Sequence, residues 1–198
     1  MDRGTTKFPK KGYPVFYRTH QPYSYSYQLF DYKIYIHRNP LDTLISAYYF
    51  YKNRDIPFGD DPTELRSSLM NIDFYVLHKL DEWMSYYDTA VKEADIIVSY
   101  TDLKSDPLST LRSLINSIGW THNEELLLKS IDISSIKNVK NMAKETNQQY
   151  GNGPKDGSFK GEFTRSGAEG QYYEKLKPET IQHVFNQFPD FKKLYIRQ

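Results

Sequence analysis

Apolar and polar positions along this chain follow two different periods. Residues 32–37, YKIYIH, are aromatic and β-branched and predict a strand; residues 95–100, DIIVSY, predict another. A shorter stretch of the same kind, YPVFYRT at 13–19, runs into His20. Between the second and third of these the period changes. Asn39 is a good helix cap and Pro40 suits a first helical position, and Leu41, Leu44, Ile45 and Tyr48 then recur at helical spacing. Leu77, Leu80, Met84, Tyr87 and Val91 mark one apolar stripe of a longer helix over 72–91. Asp106-Pro107 opens a helix through Leu111 and Leu114 to Ile118, with Gly119 as its stop. Further helices are expected over 123–130 and 135–145, and a last one from Lys177-Pro178.

Three segments lack either period, the first being the Tyr- and Ser-rich residues 21–31. Residues 53–63 carry Pro57, Gly59 and Pro62 and read as a loop. Residues 146–171 are rich in Gly, Asn, Gln and Ser; a stretch that long without a period suggests a functional cover. There is no internal repeat and no low-complexity tract. Strand, helix, strand, helix with long crossovers predicts an α/β protein with a mainly parallel sheet, built as one domain over residues 1–198.

Composition narrows the function. The chain of 198 residues balances 26 Lys and Arg against 25 Asp and Glu, a net charge of +1, which argues against wrapping a nucleic-acid backbone. There are no cysteines, so disulfides, thiolate zinc sites, iron–sulfur clusters and a cysteine nucleophile are excluded. The opening MDRGTTKFPKKG has no apolar signal core, and no run is long and apolar enough to span a bilayer. A cytoplasmic protein without membrane partners is the expectation. Tyrosine is abundant, at 18 residues. It fits boundary packing in a modest core, or an aromatic-lined pocket for a planar or sugar-like ligand.

The candidate chemistry sits where the period changes. In an open parallel sheet, ligands lie beyond the carboxyl ends of the strands. Arg38 stands at such an end, and a guanidinium can hold a phosphate through two parallel hydrogen bonds. Ser46 follows eight residues later in the ensuing helix. The helix start between them adds backbone donors and a favourable dipole. Spacing alone equally allows an arginine paired to a surface carboxylate and a serine bonded to its own helix.

Residues 38–50, RNPLDTLISAYYF, resemble the 3′-phosphate segment of sulfotransferases that use 3′-phosphoadenosine 5′-phosphosulfate (PAPS). Three further segments resemble that family in order. Arg18-Thr19-His20 with Pro22 is similar to its Lys-Thr-His-x-Pro segment, which supplies the catalytic histidine. DIIVSYTDLKSDP at 95–107 is similar to its strand ending in Tyr-Glu-Asp-Leu. FTRSGAEGQYYEKLKPE at 163–179 is similar to its Arg-Lys-Gly cover segment; an alternative register would use Lys160-Gly161.

The resemblance implies a three-layer, P-loop-type α/β sandwich. It implies PAPS as co-substrate, 3′,5′-adenosine bisphosphate (PAP) as product, no metal, and a small-molecule or sugar acceptor. His20 would be the general base, since an imidazole with a pKa of about 6.5 can take a proton near neutral pH. Arg18 would touch the transferring group. Arg38, Ser46, Arg165, Ser166 and Gly167 would hold the 3′-phosphate, and Tyr100 would lie near the adenine. A catalytically silent relative that binds the nucleotide or a partner is the alternative. A P-loop kinase would need a Gly-Lys-Ser/Thr triplet, which is absent. Nothing in the pattern sets an oligomeric state.

The chain departs from the family at its start. The family's Pro-Lys-Ser-Gly-Thr-Thr-Trp loop, which cradles the 5′-phosphosulfate, has its counterpart in Asp2-Arg3-Gly4-Thr5-Thr6-Lys7. No strand precedes it, and Tyr13 follows Lys7 by six positions where the family has a whole helix. The first strand, loop and helix are therefore expected to be abbreviated, with residues 1–12 an irregular loop; a natural miniature that rebuilds the loop from residues 3–12, a shortened chain and a binding relic without chemistry all fit. Arg3, Gly4, Thr5 and Thr6 would supply the cradle. Lys7, or else Lys10 or Lys11, would neutralise the leaving bridge oxygen. Pro9-Lys10-Lys11-Gly12 is a second candidate for the same loop.

Overall fold

The computed structural model describes residues 16, 28–52, 66–145 and 167–191, without the side chains of 142–145. Its framework is a parallel pair of strands, β1 (Ile34–His37) and β2 (Ile96–Ser99), aligned Ile34 with Ile96 through His37 with Ser99. Asp95 sets this register from below. It bonds the Lys33 backbone in both directions, Lys33 N–H to Asp95 Oδ2 at 2.8 Å and Asp95 N–H to the Lys33 carbonyl at 2.9 Å.

The crossover consists of α1 (Pro40–Lys52) and α2 (Ile72–Glu93). Asn39 caps α1 as its side-chain oxygen accepts the Leu41 N–H at 2.9 Å. Asn71 caps α2 through the N–H groups of Asp73 and Phe74. After β2 come α3 (Tyr100–Ser105), α4 (Pro107–Ser117), α5 (Glu124–Ile133) and α6 (Ile136–Glu145), and then α7 (Tyr172–Lys175) and α8 (Pro178–Gln187).

The core lies where α1, α2, α7 and α8 meet, around Leu41, Ile45, Val76, Leu80, Tyr172 and Val184. All four residues of the α1 stripe are buried, at 4 % exposure or less, and Leu41, Leu44 and Ile45 belong to this cluster. The stripe of α2 keeps Leu80, Met84 and Tyr87 on the core side and differs from expectation at its first position. It runs Val76, Leu80, Met84, while Leu77 is 38 % exposed. Two apolar neighbours competed for that position, and packing against α1 selected Val76.

The strands are shorter than expected, because residues 32 and 33 lie outside the ladder and Tyr100 opens α3 instead of closing β2. Ser99 causes that early turn by capping α3 through the Asp102 N–H. The four-residue α7 was not expected at all. Several described tyrosines pack against one another, Tyr48 on Tyr75 and Tyr35 against Tyr86 and Tyr87. Of the expected strand 13–19 only Phe16 is described; its ring meets Trp120 edge-on at 6.1 Å. The expected loop at 53–63 and nearly all of the cover lie outside the described residues.

Candidate functional site

Parallel strands in register bring their carboxyl ends together, so Arg38 and Tyr100 emerge side by side. The Arg38 guanidinium carbon lies 4.7 Å from the centre of the Tyr100 ring. A cation over a tyrosine face is attracted by about 0.5–1 kcal/mol when exposed and by more when desolvated. The ring therefore helps to hold the guanidinium at this rim.

Residues 167–170, at the end of the expected cover, bond to this pair and its neighbours residue by residue. Tyr100 donates its hydroxyl to the Gly167 carbonyl at 3.2 Å. Arg38 donates from Nη2 to the Ala168 carbonyl. Thr101 donates its hydroxyl to Glu169 Oε1 at 2.6 Å. The Gly170 N–H donates to Asp42 Oδ2 at 2.7 Å. Gln171 ties the segment to itself, its Nε2 donating to the Ala168 carbonyl at 2.7 Å. Gly167 and Gly170 both have positive φ, at 61° and 73°, so the backbone turns twice within four residues. At Gly167 a side chain would also collide, because a Cβ there would stand 2.5 Å from Ile136 Cδ1.

Among the described residues, two buried side-chain atoms here have no hydrogen-bond partner, Arg38 Nε and Asp42 Oδ1. An unmet donor on a guanidinium that already spends Nη2 on the cover is what an anion would complete. Burial pushes the Asp42 carboxyl above its usual value, against the pull of the Gly170 amide, the Arg38 charge and, more weakly, the Tyr172 and Gln171 amides. Burial also lowers His37 below the ordinary histidine value, and the charge of Asp102 partly opposes this.

Of the residues singled out by sequence, the structure thus brings together Arg38, Tyr100 and Gly167. Ser46 lies on α1 one turn beyond Asp42, on the same side of the helix, and is exposed; among the described residues no hydrogen bond joins it to Arg38. Arg3, Gly4, Thr5, Thr6, Lys7, Arg18, His20, Arg165 and Ser166 lie outside the described residues. Sequence reasoning gave no role to Asp42 or Thr101. Asp42 stands where the resembled segment also carries an Asp, and it lies in the first turn of a helix, where an acid is ordinarily read as dipole compensation.

Comparison with known proteins agrees with this picture. A family model described as the sulfotransferase domain matches residues 1–194. Flavonol 4′-sulfotransferase of Flaveria chlorifolia is 27 % identical over 153 residues, 66 % of this chain and 47 % of that protein. The chain thus spans about half the length of that curated relative. A mouse sulfotransferase, SULT7A1, solved in complex with PAP, is similar with a TM-score of 0.53 at 18 % identity, over 81 % of this chain and 58 % of the other. A retinol dehydratase, solved with retinol and PAP, is similar with a TM-score of 0.58 at 14 % identity, over 83 % of this chain and 48 % of the other. These likenesses show the α/β fold of those proteins, here mostly helical around a small parallel sheet.

Proposed function

Because the chain belongs to the sulfotransferase domain family, we propose that it moves a sulfuryl group from PAPS to a hydroxyl or amine of a small-molecule acceptor, releasing PAP. The observation that carries the donor assignment is the Arg38 guanidinium. It stands at the tip of β1, 4.7 Å from the centre of the Tyr100 ring, with a buried Nε that is unpaired among the described residues, and it bonds the segment at 167–171. The relatives solved with PAP support the same reading.

Arg38, Ser46, Arg165, Ser166 and Gly167 are assigned to the 3′-phosphate and Tyr100 to the adenine. Arg3, Gly4, Thr5 and Thr6 are assigned to the 5′ end. The 3′-phosphate does not react, so its binding energy selects the donor and fixes its position. Bound PAPS supplies the activated sulfuryl group. His20 takes the proton of the acceptor as the new bond to sulfur forms, and Lys7 neutralises the bridge oxygen as its bond to sulfur breaks. Arg18 steadies the charge on the group in transit. As with phosphoryl transfer, the protein supplies positioning and charge more than covalent help.

The experiment is incubation of the full chain with labelled PAPS and a panel of phenolic, alcoholic and amine acceptors, scoring PAP release and sulfated product. Sulfated product that disappears in His20→Ala supports the assignment. Donor binding without turnover across the panel would replace it with a binding role. Arg38→Ala should weaken PAP by about 2–4 kcal/mol, the range for truncating one member of a desolvated charge pair. Unchanged affinity would remove Arg38 from the site.

A further inference from the structure

Four side chains grip four consecutive cover residues, and they are not equal. Thr101, Tyr100 and Arg38 are half-buried, and Ala168 and Glu169 are exposed, so water can replace much of what those three bonds provide. Asp42 is 0 % exposed, and its bond to the Gly170 N–H is made where water cannot substitute. It stands four residues after Arg38 in the same β1–α1 turn. One short stretch of chain therefore carries both the guanidinium and the anchor of the segment that lies over it.

We propose that Asp42 is a positioning residue of the nucleotide site. Its buried carboxyl, by holding the Gly170 N–H, sets the cover over Arg38 in the geometry that receives the 3′-phosphate, without touching the ligand. The position of the two glycines fits this role. Gly170 turns at positive φ directly at the anchor, and Gly167 turns again three residues earlier, under the Tyr100 hydroxyl. Between them the Ala168 carbonyl is delivered to Arg38 Nη2. Release of Gly170 would free that carbonyl and let the guanidinium tilt off its ring. The inference rests on the donor assignment above, and the test separates the two.

The test is calorimetric titration of the full chain with PAP and with adenosine 5′-monophosphate, which lacks the 3′-phosphate. The variants are Arg38→Ala, Asp42→Ala, Asp42→Leu and Asp42→Asn. Wild type should prefer PAP, and Arg38→Ala should erase the preference. Asp42→Ala should weaken PAP about tenfold or more, the factor for one lost hydrogen bond to a charged group, and leave the monophosphate within about threefold. Asp42→Asn, whose amide oxygen can still accept the Gly170 N–H, should restore PAP to within about threefold of wild type. Amide exchange at Gly170 should quicken in Asp42→Ala and stay slow in Asp42→Asn. If Asp42→Ala does not fold, Asp42→Leu fills the same space without an acceptor and reads the same ratio.

Equal losses for both nucleotides would make Asp42 a scaffold residue and overturn the proposal. So would unchanged PAP affinity in a folded Asp42→Leu, or an Asp42→Asn that fails to rescue. A wild type without preference for PAP, or an Arg38→Ala that keeps it, would instead sink the donor assignment and the proposal with it.

Discussion

Gly167→Ala probes the site through a residue that has no side chain of its own. At φ 61° an alanine pays the left-handed penalty of about 1–2 kcal/mol. Its Cβ would stand 2.5 Å from Ile136 Cδ1, some ~1 Å inside the ordinary carbon contact. Ile136 is only half-buried and can swing away, at about 0.5–1.5 kcal/mol for a displaced rotamer. The Tyr100 hydroxyl, 3.2 Å from the same Cβ, must also give slightly. Together these terms put about 2–3 kcal/mol against the docked cover. The segment can relieve that strain by lifting off locally, so global stability falls by no more than the docking free energy.

Two readouts separate local lifting from general damage. Amide exchange across 167–171 should accelerate while exchange in α1 and α2 stays slow. PAP affinity should fall by about 30- to 150-fold, the factor for the same energy. Adding Ile136→Ala should remove the clash and leave the backbone term, a coupling of about 0.5–1.5 kcal/mol. Wild-type exchange and wild-type PAP affinity in Gly167→Ala would refute a cover docked through this residue. Absence of any rescue by Ile136→Ala would refute the collision.

Tyr100→Phe keeps the ring beneath Arg38 but loses the bond to the Gly167 carbonyl, and should weaken PAP by about 0.5–1.5 kcal/mol. Tyr100→Ala should cost about 0.5–1 kcal/mol beyond that, and equal calorimetric affinities for the two variants would show that the ring contributes nothing. His37 has a folded pKa below its unfolded one, so its contribution to stability is present above about pH 6.5 and is lost as pH falls through the folded value. Urea midpoints of wild type should therefore drop faster than those of His37→Gln on acidification, and parallel profiles would show that His37 protonates freely in the fold. Ile45→Ala, at a fully buried position of the core, should destabilise by about 2–5 kcal/mol in the same melts; a loss below about 1 kcal/mol would mean that the cluster is loosely packed.

What the linear chain determined is what lies within a turn or two of itself. A cap at Asn39, a proline at the first helical position and a stripe through Leu41, Leu44, Ile45 and Tyr48 fix α1, because each contact spans at most four residues. The two strands were legible for the same reason, and so was the place where Arg38 leaves the sheet. The family was legible because its segments keep their residue types in order along the chain.

Tertiary structure decided the rest. Nothing local distinguishes Val76 from Leu77 as the inward position of α2; the neighbouring α1 does. Nothing local tells Asp42 to prefer an amide 128 positions away over its own helix, or Arg38 a carbonyl 130 positions away. Such bonds depend on two distant segments arriving at one place. That arrival follows from parallel strands in register, whose carboxyl ends must share one rim, and from burial, which leaves a carboxyl excluded from water no acceptable partner but the backbone laid across it.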